Sequence, residues 1–81
     1  MNDYASTITT KDLYFSATLK TLGYELIETK RNGNGPAFFT FGSKNDDLKK
    51  IEQEYYINDI KVGARAFSVA WKSLRRVLET V

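Results

Sequence analysis

The sequence contains no cysteine and no histidine, and these two absences exclude several kinds of chemistry. Without cysteine the chain forms neither disulfide bonds nor thiolate nucleophiles. Without histidine it lacks the usual general base near neutral pH, and together the absences remove zinc sites and the Ser–His and Cys–His nucleophile pairs. The recognised phosphate-binding glycine loops are missing as well. We therefore expect a protein that is not an enzyme and that uses no metal and no cofactor.

Long apolar runs are also missing. No apolar stretch approaches the roughly 20 residues of a membrane-spanning helix, and residues 1–11 lack the apolar core of a secretion signal. The 81 residues make one domain, and 42% hydrophobic with 14% aromatic residues indicate a folded chain rather than a disordered one. We expect a soluble, cytoplasmic single domain over residues 1–81, with residues 1–7 as a loose lead-in and no membrane partner.

Two β-prone segments flank a turn-rich stretch in the middle of the chain. Aromatic and β-branched side chains are frequent in residues 24–29 and 37–41, and such side chains pack well on a pleated sheet. Between them, Asn-Gly-Asn-Gly at residues 32–35 supplies positions that tolerate positive φ, and Pro36 suits the first residue of a strand. We therefore predict a β-hairpin across residues 24–41.

A first helix is predicted before this hairpin. With Thr9 as N-cap, Asp12 falls at the third helical position and completes a capping box. The helix should end near Leu22, where Gly23 supplies the left-handed residue that terminates helices. Its apolar side chains form two stripes rather than one, which indicates a helix held between two other elements.

Two further helices are predicted after the hairpin. Leu48, Ile51 and Tyr55 recur at helical spacing, and the last segment shows the clearest helical period in the chain. The apolar residues that define this last helix, with Gly63 as its cap, are Phe67, Ala70, Trp71, Leu74, Leu78 and Val81. The result is an α+β fold in the order helix, strand, strand, helix, helix, with the hairpin packed on the first and last helices.

A series of short motifs runs in order along most of the chain. It comprises Thr9-Thr10-Lys11-Asp12-Leu13-Tyr14, then Ala17 and Leu19, Gly23 before a strand, Phe39-Thr40-Phe41, an aromatic-rich helix and an arginine-bearing C-terminal helix. In this respect the chain resembles a family of short bacterial and phage proteins classed only as a domain of unknown function. Ser16 stands where the first residue of an Ala-Ala pair is expected. The resemblance implies a phage or mobile-element context in a bacterial host cell, and it assigns no catalytic or binding residue.

The net charge of +2 conceals an asymmetry along the chain. Residues 61–81 carry five cations and one anion, a balance of +4, which leaves −2 for residues 1–60. On a helical wheel, three cations of the last helix lie opposite its apolar face: Arg65, Lys72 and Arg76. Arg75 lies to one side of them. Such a ridge could bind a phosphate backbone. The alternative is an ordinary solvated face whose late cations complement the helix dipole.

Other candidate contact residues lie on the hairpin and the second helix. Lys30 and Arg31 could present a basic fingertip to a groove, or they could simply flank a turn. Phenylalanines at residues 38–41 could stack on nucleobases, although a domain of this size needs its aromatic residues for the core. Adjacent Tyr55 and Tyr56 cannot both point inward, so one of them is a candidate partner contact.

Asp46 and Asp47, with Glu52 and Glu54 as further candidates, form the one acidic cluster that could hold a magnesium ion. Because adjacent aspartates before a helix are usually caps, we interpret them as caps rather than metal ligands.

Two functional hypotheses follow, and the charge asymmetry places the first narrowly ahead of the second. The first is a non-enzymatic accessory protein of a phage or mobile element that binds nucleic acid through the basic C-terminal helix. The second is a protein-interaction module, such as a phage-encoded inhibitor of a host defence or regulatory protein. Because a lone two-stranded sheet is marginal and edge strands are templates for pairing, a homodimer through the hairpin is also left open.

Overall fold

The second strand of the predicted hairpin is the centre of a three-stranded antiparallel sheet. In the computed structural model, which describes residues 4–81, the strands are β1 (Ser6–Thr10), β2 (Glu25–Arg31) and β3 (Ala37–Ser43), and the helices are α1 (Leu13–Thr21), α2 (Leu48–Ile57) and α3 (Ala64–Leu78). The spatial order of the strands is β1-β3-β2. The α+β class and the order helix, strand, strand, helix, helix from α1 onward are confirmed, and β1 precedes them as an additional strand.

The N-terminal segment differs from the sequence prediction. Residues 6–10 pair with β3, from Ser6 opposite Ser43 to Thr10 opposite Phe39, so the loose lead-in over residues 1–7 is wrong for residues 6 and 7. Residues 1–3 lie outside the described part of the chain. The N-cap of α1 is Asp12 rather than Thr9, because β1 holds Thr9 in the sheet. The three threonines and Ile8 in this strand are β-branched residues that favour extended backbone, and pairing with β3 stabilises that conformation.

The C-terminal end of α1 follows the prediction. The helix stops at Thr21, and Gly23 adopts φ +98°. The amide of Gly23 donates to the carbonyl of Lys20 at 3.1 Å, and the amide of Tyr24 donates to the carbonyl of Leu19 at 3.1 Å. This pair of hydrogen bonds is a Schellman motif, which satisfies the last carbonyls of the helix and turns the chain into β2.

The predicted hairpin is present, with one irregularity. Residues 32–36 form the connection, in which Gly33 has φ +59° and the amide of Gly35 donates to the carbonyl of Asn32 at 3.0 Å. A register shift between Leu26 and Glu28 leaves Ile27 as an inserted residue. The shift explains the adjacent apolar pair at residues 26 and 27, because a bulge changes the alternation of side chains at that point.

The core lies on one face of the sheet. Phe39 and Phe41 are buried, whereas Phe38 is 37% exposed on the opposite face, so the predicted alternation along β3 holds. All five residues from Phe15 to Leu19 are buried, because α1 packs along α3 and also contributes to the cluster that contains the β3 phenylalanines. Leu48 and Leu74 bring α2 and α3 into the same cluster.

The third strand changes the argument for self-association. β1 covers one edge of β3 and β2 covers the other, so β3 has no free edge. A sheet of three strands with one face on a helical layer needs no second chain for stability. The homodimer through the hairpin therefore loses one of its two reasons. The other remains, because β2 is an edge strand of the sheet, and the homodimer stays a prediction. Within residues 4–81, no helix is long and apolar enough to cross a membrane.

Candidate nucleic-acid interface

The three cations Arg65, Lys72 and Arg76 are exposed on the outward face of α3. With 3.6 residues per turn, their spacing places them within about 40° of one another around the helix axis. The rise of 1.5 Å per residue separates the first from the last by about 16 Å along that axis. Arg75 is also exposed and lies to one side. The opposite face of the helix packs into the core through Ala70 and Leu74.

No carboxylate accompanies these cations on the helix. Residues 64–78 contain four cations and neither aspartate nor glutamate, and the first acidic residue after them is Glu79 at the C-cap. In α2, by contrast, Lys49 and Lys50 are followed by Glu52 and Glu54. The side-chain hydrogen bonds recorded for the described residues join hydroxyl, amide, carbonyl and carboxylate groups, and none of them uses a lysine or arginine.

The helix dipole explains part of this charge pattern but not all of it. Arg75 and Arg76 lie in the last turn, where a cation interacts favourably with the negative end of the dipole. Arg65 lies in the first turn, where a cation is unfavourable by about 0.3–1 kcal/mol and where no acidic residue offsets it. The helix dipole therefore accounts for the positions of Arg75 and Arg76 but not for that of Arg65.

A shallow groove runs along the same face of α3. It is lined by Val69, Lys72, Ser73, Arg76 and Val77, and Val69 is 63% exposed. Sequence reasoning did not single out Val69, although its position about 40° from Arg65 on the wheel is a signal, since an apolar residue there cannot reach the core. The cations therefore flank an apolar strip rather than a uniformly polar surface.

The basic residues of the hairpin do not form part of this ridge. Lys30 and Arg31 are exposed at the end of β2, beside the turn, with Phe38 and Ala37 as their partners on β3. Because successive residues of a strand point to opposite faces of the sheet, the two cations do not project together. Their role as a basic fingertip stays a prediction. Lys30 and Arg31 lie on β2 rather than on α3, and they point to opposite faces of the sheet.

The two adjacent tyrosines of α2 have different environments. Tyr56 is 55% exposed, whereas Tyr55 is half-buried with its ring 4.9 Å from that of Phe15. The Tyr56 hydroxyl donates a hydrogen bond of 2.5 Å to Oδ2 of Asp12, the N-cap of α1. Partial burial of the ring, together with that bond, raises the pKa of Tyr56 well above its ordinary value. Tyr56 thus combines an exposed ring with a hydroxyl that is already engaged within the protein.

The acidic pair before α2 has a structural partner for one of its members. Asp47 accepts hydrogen bonds from the hydroxyls of Ser43 at 2.7 Å and Tyr24 at 2.9 Å. These two bonds lower the pKa of Asp47. Asp47 occupies the expected N-cap position of α2, but its side chain makes no hydrogen bond to the helix and instead joins the start of α2 to Tyr24 and Ser43. Within residues 4–81 no three acidic, cysteine or histidine residues are grouped as a metal site would require.

Comparison with known proteins gives a family but no function. A family model described as a domain of unknown function, DUF5659, matches residues 5–79. No curated protein and no solved structure shows a significant match.

Proposed function

The chain belongs to the DUF5659 family of domains of unknown function, and we propose that this member binds nucleic acid through the basic face of α3. In this proposal Arg65, Lys72 and Arg76 contact phosphates directly, with Arg75 at the side of the contact. The observation that carries the proposal is the row of exposed cations on a helix without a single carboxylate. Lysine and arginine gain affinity for nucleic acid by displacing the counterions condensed on the phosphates.

The dimensions of the ridge suit a backbone contact. Its length of about 16 Å equals the rise of roughly five base steps along a duplex axis, at 3.4 Å per step. The ridge offers cations and a hydroxyl at Ser73, and it lacks the asparagine and glutamine side chains that typically read adenine. We therefore propose binding that depends on phosphate charge and shows little preference for adenine.

The salt dependence of binding tests this proposal. Fluorescence anisotropy with labelled duplex DNA, duplex RNA and single strands, each at several salt concentrations, gives the slope of log K against log[salt]. Three phosphate contacts predict a slope of about −2.7 on duplex DNA and about −2 on a single strand. Absence of binding at low salt, or binding that does not weaken as salt rises, would contradict the proposal.

A phage or mobile-element context and a cytoplasmic location belong to the same proposal. The support for them is the sequence resemblance to short bacterial and phage proteins and the absence of a membrane-spanning helix within residues 4–81. An accessory protein that coats or escorts nucleic acid would need neither a catalytic centre nor a cofactor.

A second candidate function is supported by apolar exposure at the end of α2. Ile57 is 75% exposed beside the exposed ring of Tyr56. Exposed aromatic and aliphatic residues of this kind are typical contact points in protein interfaces. Under this alternative the chain is a protein-interaction module, for instance an inhibitor of a host defence or regulatory protein, with Tyr55 and Tyr56 at the contact.

Affinity purification with the wild type and with Ile57→Glu tests the alternative. A partner that is retained by the wild type and lost with the variant would support it. The same set of retained proteins with both chains would count against this surface.

A further inference from the structure

A cleft with an aromatic lining lies where α1, the end of α2 and the start of α3 meet, away from the basic ridge. Its lining comes from three helices and the connection between the last two: Tyr14, Thr18, Tyr55, Asp59, Ile60, Val62, Ala64 and Phe67. The volume is about 410 Å³, which lies within the range of small-molecule sites. The cleft therefore has the size for an organic ligand, and because it is open to solvent rather than enclosed, a bound ligand would stay partly exposed.

The chemistry of the lining selects the charge of that ligand. Three aromatic rings contribute, from Tyr14, Tyr55 and Phe67, and the only formally charged side chain in the lining is the carboxylate of Asp59. The neighbouring cations Lys61 and Arg65 are exposed and do not line the cleft. Aromatic faces attract cations through their quadrupoles, and a carboxylate adds a full negative charge. An anionic ligand would meet no cation in the lining.

The surroundings of the Tyr55 hydroxyl also disfavour negative charge. Partial burial raises the pKa of Tyr55. The negative charges of Asp12 and Asp59 raise this pKa further, because they repel the tyrosinate that forms when the hydroxyl ionises. Among the hydrogen bonds of the described residues, none involves the hydroxyl of Tyr55 or that of Tyr14. Both hydroxyls are therefore available to a ligand.

The backbone at Asp59 is unusual. Asp59 has φ +62°, and within residues 4–81 it is the only residue other than glycine with positive φ. This left-handed residue follows the C-cap Asn58 and turns the chain from α2 towards α3. Asparagine and aspartate tolerate this conformation better than other residues with a side chain. The charge of Asp59 can thus be removed by asparagine without disturbing the turn.

We propose that this cleft binds a small organic cation of the alkylammonium class, with the rings around the cationic group and Asp59 as its counterion. A metal ion is a poor fit, because one carboxylate in an aromatic lining offers too few oxygen ligands. The proposal is independent of nucleic-acid binding, since it uses no residue of the ridge.

The test titrates the full chain with choline and follows backbone amide shifts by NMR. The neutral control ligand is 3,3-dimethylbutan-1-ol, which has the shape of choline without its charge. We expect saturable shifts at residues 14–18 and 55–67 with a Kd on the order of 1 mM, and binding of the neutral control weaker by roughly fivefold or more. Equal binding of the two ligands, shifts elsewhere on the chain, or no saturable shift would overturn the proposal.

Two matched variants locate the counterion. Asp59→Asn should weaken choline binding by roughly fivefold and leave the neutral control unchanged. Asp46→Asn removes an exposed carboxylate outside the cleft and should change neither. An unchanged amide spectrum away from residue 59 shows that the variant is folded. Choline affinity that is the same in Asp59→Asn and the wild type, or that falls equally in both variants, would refute the assignment.

Discussion

The hydroxyl of Tyr56 in α2 donates a hydrogen bond to Oδ2 of Asp12, while Oδ1 of the same carboxylate accepts the Phe15 amide at 3.0 Å. One side chain therefore caps α1 and ties it to α2. The ring of Tyr56 also lies 5.6 Å from that of Phe15, so the polar contact is backed by aromatic packing. This relationship fixes the last turn of α2 against the start of α1.

Substitution of Asp12 separates its two roles. Asp12→Asn keeps an oxygen that caps α1, because asparagine is as good an N-cap as aspartate, and we expect a loss below about 1 kcal/mol. Asp12→Ala loses the cap and the partner of Tyr56, and we expect a loss of about 1–2 kcal/mol. Chemical denaturation monitored by the fluorescence of Trp71 measures the free energy of unfolding of both variants and of the wild type. Equal stability of the two variants would show that the cap at Asp12 does not matter.

The stability of the fold should decrease at alkaline pH. Because the pKa of Tyr56 in the folded chain is raised above its ordinary 10.0, the contribution of this group is fully present below pH 10 and is lost as pH rises further. Tyr24 and Tyr55 also have raised pKa values, so they add to the same decrease. Tyr56→Phe removes the contribution of Tyr56 to this decrease. The stability of the variant should therefore fall less steeply than that of the wild type between pH 9.5 and 11.5, about the range where tyrosines ionise. Parallel curves for the two proteins would contradict this.

The left-handed conformation of Gly23 should make this position sensitive to substitution. A Cβ atom at Gly23 would meet no heavy atom within 4 Å, so the effect of alanine there comes from the backbone conformation alone. We expect Gly23→Ala to cost about 1–2 kcal/mol and Gly23→Asn to cost less, since asparagine tolerates positive φ. Thermal unfolding of the two variants and the wild type gives the order. A Gly23→Ala protein as stable as the wild type would show that the Schellman motif is dispensable.

Local signals in the sequence predicted most of the fold. Asn-Gly-Asn-Gly at residues 32–35 placed the hairpin, Gly23 placed the end of α1, and the spacing from Phe67 to Leu78 placed α3. In each case the structure depends on backbone preferences or periodicity within a few residues. The orientation of the ridge on α3 follows from the same periodicity.

The features that sequence reasoning missed depend on contacts between distant segments. Thr9 and Asp12 fit a capping box as well as they fit a strand followed by a cap, and the pairing of β1 with β3 decides between the two. The pairing is long-range, from Ser6 to Ser43, and local propensity does not encode it. The aromatic cleft has the same origin, because packing of three helices brings Tyr14, Tyr55 and Phe67 together.

The most direct test of the proposed function compares two double charge reversals by anisotropy on the same labelled duplex. Lys72→Glu/Arg76→Glu reverses two ridge cations on α3, and Lys49→Glu/Lys50→Glu reverses two exposed cations on α2, so both variants have the same net charge. The account predicts that the α3 variant binds more weakly and that its salt slope is smaller by about 1.8 units, while the α2 variant keeps most of its affinity. Equal loss in both variants would show that net charge alone governs binding, and undiminished binding by the α3 variant would contradict the account outright.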